Sequence, residues 1–125
     1  MNQLPARIPT GTPALTIKQP WASLIVEGKK NIENRSWKTR HRGLLIVHAG
    51  LTVDRAALAK HGHLLQHVQG LPRGCLLGTV DLVDCVDECD SPWAEPGQVH
   101  WVLANPRRLR SPIAMRGGLG LWRPG

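Results

Sequence analysis

The chain has 125 residues, a hydrophobic fraction of 42% and a formal net charge of +7 at pH 7. A chain of this length can bury a hydrophobic core without disulfide bonds or structural metal ions, so we expect one domain. No apolar run approaches the roughly 20 residues that a membrane-spanning helix needs, so we expect no membrane partner.

The chain begins with a segment that predicts an irregular leader over residues 1–13, because Pro5, Pro9 and Pro13 interrupt it. The segment lacks the charged start and apolar centre of a signal peptide. We therefore expect a cytoplasmic protein, or a nuclear one if its source is eukaryotic, with the domain over 14–125.

A strand and a short helix open the domain. Leu15 and Ile17 alternate with polar residues, which is typical of a half-buried strand. Pro20 suits the first turn of a helix, where its missing N–H costs nothing. Gly28 can end that helix in a left-handed conformation.

The next segment, residues 31–37, predicts a second strand. Side chains alternate along a strand, so Glu33, Arg35 and Trp37 are expected on one face. A carboxylate, a guanidinium and an indole on one strand face are more typical of a ligand site than of a plain core.

A basic turn over 38–42 then leads into a central strand. The turn contains Lys38, Arg40 and Arg42, which are expected to be exposed and able to contact phosphates. The alternative is a solvated loop. The continuous apolar run over 44–49 predicts a strand buried on both faces.

A second helix is predicted over 53–60, with Thr52 as its N-cap. Residues 61–69 are expected to extend this helix or to form a further helical turn. A loop with Gly70, Pro72 and Gly74 follows.

A long strand is predicted over 75–85. Its alternation places Leu76, Val80 and Leu82 on one face, and Gly78 permits a sharp bend. An acidic, proline-containing loop follows it.

The remaining residues predict a strand over 99–103 that ends at Asn105-Pro106, and a short strand over 111–115. In total, five to six strands and two or three short helices predict an α+β fold with a bent mixed sheet that closes into a barrel. A two-layer sandwich is the alternative, and it differs only in closure.

Charge is divided unevenly along the chain. Residues 81–95 contain six of the nine acidic residues and no Lys or Arg, so the other residues carry 16 basic side chains against three acidic ones, a charge of +13. This asymmetry suits a polyanion such as nucleic acid. The alternative is a soluble basic protein with solvated charges.

Three fixed patterns now identify a resemblance. They are QPWASL at 19–24, the spaced residues Gly28, Lys30, Glu33, Arg35, Ser36 and Trp37, and Arg42-Gly43. Together they resemble the ASCH family of the PUA-like superfamily, and the run GCLLGTVDL at 74–82 is similar to the family's long central strand. The resemblance covers most of 15–122.

The resemblance implies a PUA-like β-barrel with a cleft beside the first helix, and a role with RNA, DNA or a modified nucleoside. Family members thought to hydrolyse N4-acylcytidine resemble G-x-K-T-x-T-x-R, in which the second Thr is the presumed nucleophile. Here Glu33 stands at that position, and a carboxylate is a base but not a hydroxyl nucleophile. The departure favours binding over this hydrolysis.

Two sets of site residues follow. Lys30 and Glu33 are the candidate catalytic pair if the protein is an enzyme, since the pair can shuttle protons; a structural ion pair is the alternative. The candidate nucleic-acid-binding residues are Lys18, Trp21, Lys30, Arg35, Trp37, Lys38, Arg40 and Arg42. Trp21 and Trp37 are the candidates for stacking on bases, with a core role as the alternative for each.

Other polar groups have no predicted ligand. The three cysteines lack the spacing of zinc ligands and favour buried thiols, while His61, His63 and His67 have no nearby acid or Cys, so neither metal nor cofactor is expected. A second basic group comprises Arg107, Arg108, Arg110 and Arg116. The sequence alone does not determine whether this group lies on the same face as the basic turn.

The leading hypothesis is a nucleic-acid-binding domain, for RNA rather than DNA, that docks a base or nucleotide in a basic cleft beside the first helix. One alternative is a ribonuclease, or a hydrolase of a modified nucleoside of the N4-acylcytidine type, that uses Lys30 and Glu33. Another is a protein-interaction domain that uses the acidic segment. The oligomeric state is left open.

Overall fold

The structure, a computed structural model, describes residues 4–66 and 71–125. Six strands, two α-helices and one 3-10 turn (Gly62–Leu64) occur in this part of the chain, and no helix in it is long and apolar enough to cross a membrane. The elements are β1 (Ala14–Gln19), α1 (Trp21–Val26), β2 (Ile32–Arg35), β3 (Gly43–Val53), α2 (Arg55–His61), β4 (Cys75–Val86), β5 (Val99–Ala114) and β6 (Leu121–Trp122).

All six strands belong to one mixed sheet with the order β2-β5-β4-β3-β1-β6. β1 and β3 are parallel, and the other neighbours are antiparallel. The predicted α+β fold with a mixed sheet is confirmed. The sheet is not closed by hydrogen bonds within the described residues, because β2 and β6 remain its two edges.

Two hydrophobic clusters cover opposite faces of the central strands. Leu45 and Val47 of β3 belong to the larger cluster, whereas Ile46 between them belongs to the smaller one. Because successive side chains of a strand point to opposite faces, β3 is buried on both faces, as the apolar run predicts. Ile8 from the first residues of the chain packs into the smaller cluster.

The sheet is bent by irregular pairing in the middle of β4. The β4–β5 register shifts between Leu76 and Gly78 and again between Thr79 and Asp81. Leu76 therefore lies in the smaller cluster, while Val80 lies in the larger one. The predicted common face of Leu76 and Val80 is wrong, because regular alternation does not continue across bulges.

The prediction that Asn105-Pro106 ends a strand is also wrong. β5 continues through both residues as one strand of 16 residues, with Asn105 at φ 51°. The Asn105 side-chain amide donates to Asp81 Oδ2 on the paired strand at 2.8 Å. A proline and a left-handed residue are tolerated here because the pairing is already shifted at this point.

The second helix begins later than predicted. β3 extends to Val53, which pairs with Gln19 of β1, so Thr52 is not the N-cap. Asp54 is the N-cap instead, and its carboxylate accepts a hydrogen bond from the Ala57 amide at 3.0 Å. The predicted further helical turn is the 3-10 turn, and the rest of that prediction extends into 67–70, outside the described residues.

Gly78 is the position where the fold leaves no room for a side chain, because a Cβ there would overlap the carbonyl oxygen of Arg107 on the paired strand. Gly78→Ala should lower the free energy of unfolding by about 2–3 kcal/mol, since backbone must move to relieve the overlap. Urea denaturation measures this. The control Val83→Ala, at a side chain that is 54% exposed, should cost under about 1 kcal/mol. Equal stability of Gly78→Ala and the parent would contradict the register described here.

Candidate functional site

A cleft of about 690 Å³ lies between the two ends of the curled sheet. Residues 16–18 of β1 form one side and residues 33–36, in and just after β2, form the other. These strands are separated by three others in the sheet order. Because β6 pairs only with Ala14 and Leu15, the following β1 residues keep a free edge beside the cleft. The cleft therefore lies along the line where β1 and β2 approach each other without pairing. We call this line the seam.

The structure brings five predicted site residues into this cleft, namely Lys18, Trp21, Lys30, Glu33 and Arg35. Their elements meet there because α1 starts directly after β1 and ends just before β2. Gly28, at φ +79°, allows the sharp exit from α1, and the amides of Lys29 and Lys30 both donate to Leu24 O.

A buried carboxylate joins two cations on the cleft floor. Glu33 Oε1 lies 3.5 Å from Lys30 Nζ, and Glu33 Oε2 lies 2.9 Å from Arg35 Nη2. Arg35 Nη2 also donates to the carbonyl oxygen of Thr16 at 2.9 Å. The guanidinium thus connects β2 to the free edge of β1 across the seam.

Lys30 is 5% exposed, and its ammonium donates to the carbonyl oxygen of Ile32 and to Glu33. Burial lowers the pKa of Lys30 from its ordinary value, although Glu33 acts in the opposite direction. Burial is the larger effect because so little of the ammonium is hydrated. The ammonium also lies 5.0 Å from the ring centroid of Trp21, a cation–π distance.

Three rings form the apolar wall of the cleft. Trp21 and Trp93 meet edge to face at 6.2 Å between centroids, and His61 lies 5.5 Å from Trp21 and 4.9 Å from Trp93. Burial, followed by the nearby charges of Lys60, His63 and Lys30, lowers the pKa of His61. The imidazole therefore contributes a neutral ring at pH 7.

Sequence reasoning missed Trp93 and His61 as cleft residues, together with Asn34, Asp54, Lys60 and Glu95. Asn34 explains how the distant acidic loop forms a wall. Its amide donates to Trp93 O at 2.9 Å, and its oxygen accepts from the Glu95 amide at 3.1 Å. No local signal in the sequence places Trp93 in the cleft, because its contact with Asn34 spans 59 residues.

Four other predicted binding residues lie outside the cleft. β2 ends at Arg35, so Trp37 leaves the predicted strand face and packs edge to face on Trp101 at 4.9 Å. Lys38 pairs with Asp87 at 3.1 Å and Arg42 pairs with Asp84 at 3.3 Å, both on the surface. Arg40 is exposed. The acidic segment therefore neutralises part of the basic turn.

The buried His48 has its hydrogen bonds satisfied by the fold. Its Nε2 lies 2.7 Å from Met115 O, and its Nδ1 lies 3.1 Å from Thr16 Oγ1. A carbonyl only accepts, so Nε2 carries the proton and Nδ1 accepts from the Thr16 hydroxyl. Within 4–66 and 71–125, no group of three His, Cys, Asp or Glu side chains is arranged to hold a metal ion; His67 lies outside these ranges.

The fold and the cleft define a small α+β domain with a tryptophan-lined, charged site at an open sheet seam. Residues 15–113 match the model of the ASCH domain, and the chain belongs to this family. The resemblance predicted from the motifs is confirmed.

Two curated relatives are activating signal cointegrator 1 of Homo sapiens, 30% identical over 131 residues, and of Mus musculus, 30% identical over 125 residues. Each match covers 87% of this chain and 22% of the relative, so the chain spans about a fifth of the length of these relatives.

Glu33→Gln should lower the free energy of unfolding at pH 7 by about 3 kcal/mol, because it leaves the Lys30 ammonium buried without its carboxylate. Burial already lowers the pKa of Lys30 below 10.5. At pH values between the native pKa of Lys30 and 10.5, the unfolded chain binds more protons than the native one. The free energy of unfolding therefore rises with pH in this range. Removing Glu33 lowers the pKa of Lys30 further, so the deficit of the variant should shrink as pH rises toward 10.5.

Urea denaturation of variant and parent from pH 7 upward measures this deficit. The control Asp87→Asn breaks an exposed pair with Lys38 and should cost at most about 1 kcal/mol at any pH. A Glu33→Gln deficit that stays constant with pH would show that Lys30 does not depend on this carboxylate.

Proposed function

We propose that this ASCH domain binds nucleic acid, RNA in the first place, by docking one base or nucleotide in the seam cleft. The observation that carries the proposal is the meeting of two indoles and a neutral imidazole with the buried Lys30 and the half-buried Arg35. Flat aromatic walls beside fixed cations suit a ligand that has both a π face and a phosphate.

Stacking is assigned to Trp93 before Trp21. The Lys30 ammonium lies over the ring of Trp21 at 5.0 Å and takes up one of its faces. Trp93 is half-buried, and the Asn34 hydrogen bonds hold its backbone in place. A base stacking on a held indole loses little additional conformational entropy from the protein, which favours affinity.

Phosphate contacts are assigned to the exposed cations of the cleft, Lys18 and Lys60. Counting ionisable side chains, the cleft has four cations, including Lys30 and Arg35, against three carboxylates, which leaves one positive charge in excess. Asp54 is one of those carboxylates and is engaged as the cap of α2. The preference for RNA follows from the single-stranded form in which its bases are usually presented to proteins.

A second candidate function is the hydrolysis of a modified nucleoside or of RNA by Lys30 and Glu33. It is favoured by the lowered pKa of Lys30, which lies 3.5 Å from the carboxylate in the same cleft. Against it, both Glu33 oxygens are already engaged, one with Lys30 and the other with Arg35. A carboxylate held in this way is a weak general base.

Trp93→Ala should weaken the binding of a short single-stranded RNA by about 1–3 kcal/mol, because a stacked base loses its aromatic partner. Fluorescence anisotropy with labelled RNA measures the affinity, and a DNA of the same sequence tests the preference for RNA. Trp37→Ala is the matched control, since it removes an indole that is 36% exposed and lies outside the cleft. Unchanged affinity of Trp93→Ala would remove the stacking role, and a loss only in Trp37→Ala would move the site to the basic turn.

Incubation with N4-acetylcytidine and with labelled RNA tests the second candidate. We expect no acetate release and no RNA cleavage above the uncatalysed rate, since Glu33 is held between two cations. Turnover by the parent that is lost in both Lys30→Ala and Glu33→Gln would instead establish catalysis. Both variants should be compared with the parent by circular dichroism, so that loss of folding is not taken for loss of activity.

A further inference from the structure

Four exposed arginines lie away from the cleft, and we define Arg7, Arg107, Arg108 and Arg110 as the arginine strip. Three of them lie in the second half of β5, with the buried Leu109 between Arg108 and Arg110. Arg7 joins them from the start of the chain, because its Nη2 donates to the carbonyl oxygen of Arg108 at 3.4 Å.

The arginine strip has no ion pair with an acidic side chain within residues 4–66 and 71–125. The salt bridges in residues 4–66 and 71–125 use only Glu33, Asp84 and Asp87 as acids, and none involves the strip. No Asp or Glu occurs in residues 1–26, 55–80 or 96–125, which include the strip and the half of β4 that pairs with it. Asp81, further along β4, accepts a hydrogen bond from Asn105.

The end of α1, with one exposed lysine, lies between the strip and the cleft. Pro106, next to Arg107, packs at the end of α1, where a Cβ on Gly28 would lie 3.5 Å from its ring. Lys29 follows and is exposed, and Lys30 is already in the cleft. Four residue steps from Arg110 to Pro106 and two from Gly28 to Lys30 span at most about 22 Å of extended chain, a distance that a strand of twelve nucleotides covers.

We propose that the arginine strip binds the phosphate backbone of the same nucleic-acid strand whose base is docked in the cleft. The inference rests on the proposed function and extends the ligand from a nucleotide to a strand. Guanidinium groups match phosphate geometry with paired hydrogen bonds. An acidic protein partner is less well matched, since protein interfaces centre on apolar side chains, whereas the large exposed hydrophobic residues of the described chain, Trp37, Leu51, Val83 and Leu119, lie outside the strip.

The test uses Arg108→Gln/Arg110→Gln in the full chain, with labelled oligouridines of twelve and of three nucleotides. The double variant should bind the twelve-nucleotide RNA about tenfold more weakly at low salt and show a slope of log K against log salt that is flatter by about 1.4, since each single-strand phosphate contact contributes about 0.7. Binding of the three-nucleotide RNA should not change. The matched control Arg73→Gln/Arg123→Gln removes the same charge from exposed positions outside the strip.

Equal losses of RNA affinity in the strip variant and in the control would overturn the proposed role of the arginine strip, because the effect would then come from net charge alone. A twelve-residue polyglutamate that binds as tightly as the RNA, with the same loss in the strip variant, would also overturn it in favour of an acidic protein partner. Failure of the two proposals is distinguishable. If Trp93→Ala binds both RNAs normally while the strip variant weakens the longer one, the cleft assignment fails and the strip stands; the reverse result removes only the strip.

Discussion

The side chain of Arg35 links the edge strand β2 to the part of β1 that β6 leaves unpaired. Arg35 at the end of β2 donates to a carbonyl on the free edge of β1, and its guanidinium is itself held by Glu33. Backbone pairing between β1 and β2 is absent here because the cleft separates the two strands. A side-chain bridge satisfies one edge carbonyl and fixes the curvature, yet leaves the remaining gap open. The cleft stays open because β2 and β1 are joined here by the Arg35 side chain and not by backbone pairing.

This construction explains why charged groups are buried in so small a domain. A buried carboxylate with two cations is a costly way to gain stability, since apolar residues of similar volume often serve as well. It does fix polar groups in one geometry beside the ligand space. Lys30 is held by a carbonyl, a carboxylate and an indole face at once, so little reorganisation remains when a ligand arrives. The buried charges are thus better explained by the cleft than by the core.

The sequence predicts what is local and misses what tertiary contacts decide. Alternation and helix-ending signals predict β1, α1 and β4 well, and Lys30, Glu33 and Arg35 are found because one short segment carries them. Asn105-Pro106 carries a strong turn signal, yet strand pairing on both sides keeps β5 continuous. Trp93 is held at the cleft by contacts with distant residues, among them a hydrogen bond from Asn34, 59 residues away, so no local pattern could place it. Trp37 was misplaced because β2 ends two residues before it.

The distribution of charge on the surface also depends on contacts between residues that are distant in the sequence. The acidic segment is not a separate surface, because Asp84 and Asp87 pair with the basic turn while the residues after them form the cleft wall. This pairing uses acids at the basic turn and, in the part of the chain that the structure describes, leaves the arginines in the second half of β5 without an acidic partner. Unpaired like charges repel one another and reduce the stability of the folded state, so they persist at a cost. Under our proposal a bound polyanion supplies the missing negative charge, and the exposed Lys29 lies between the arginine strip and the cleft.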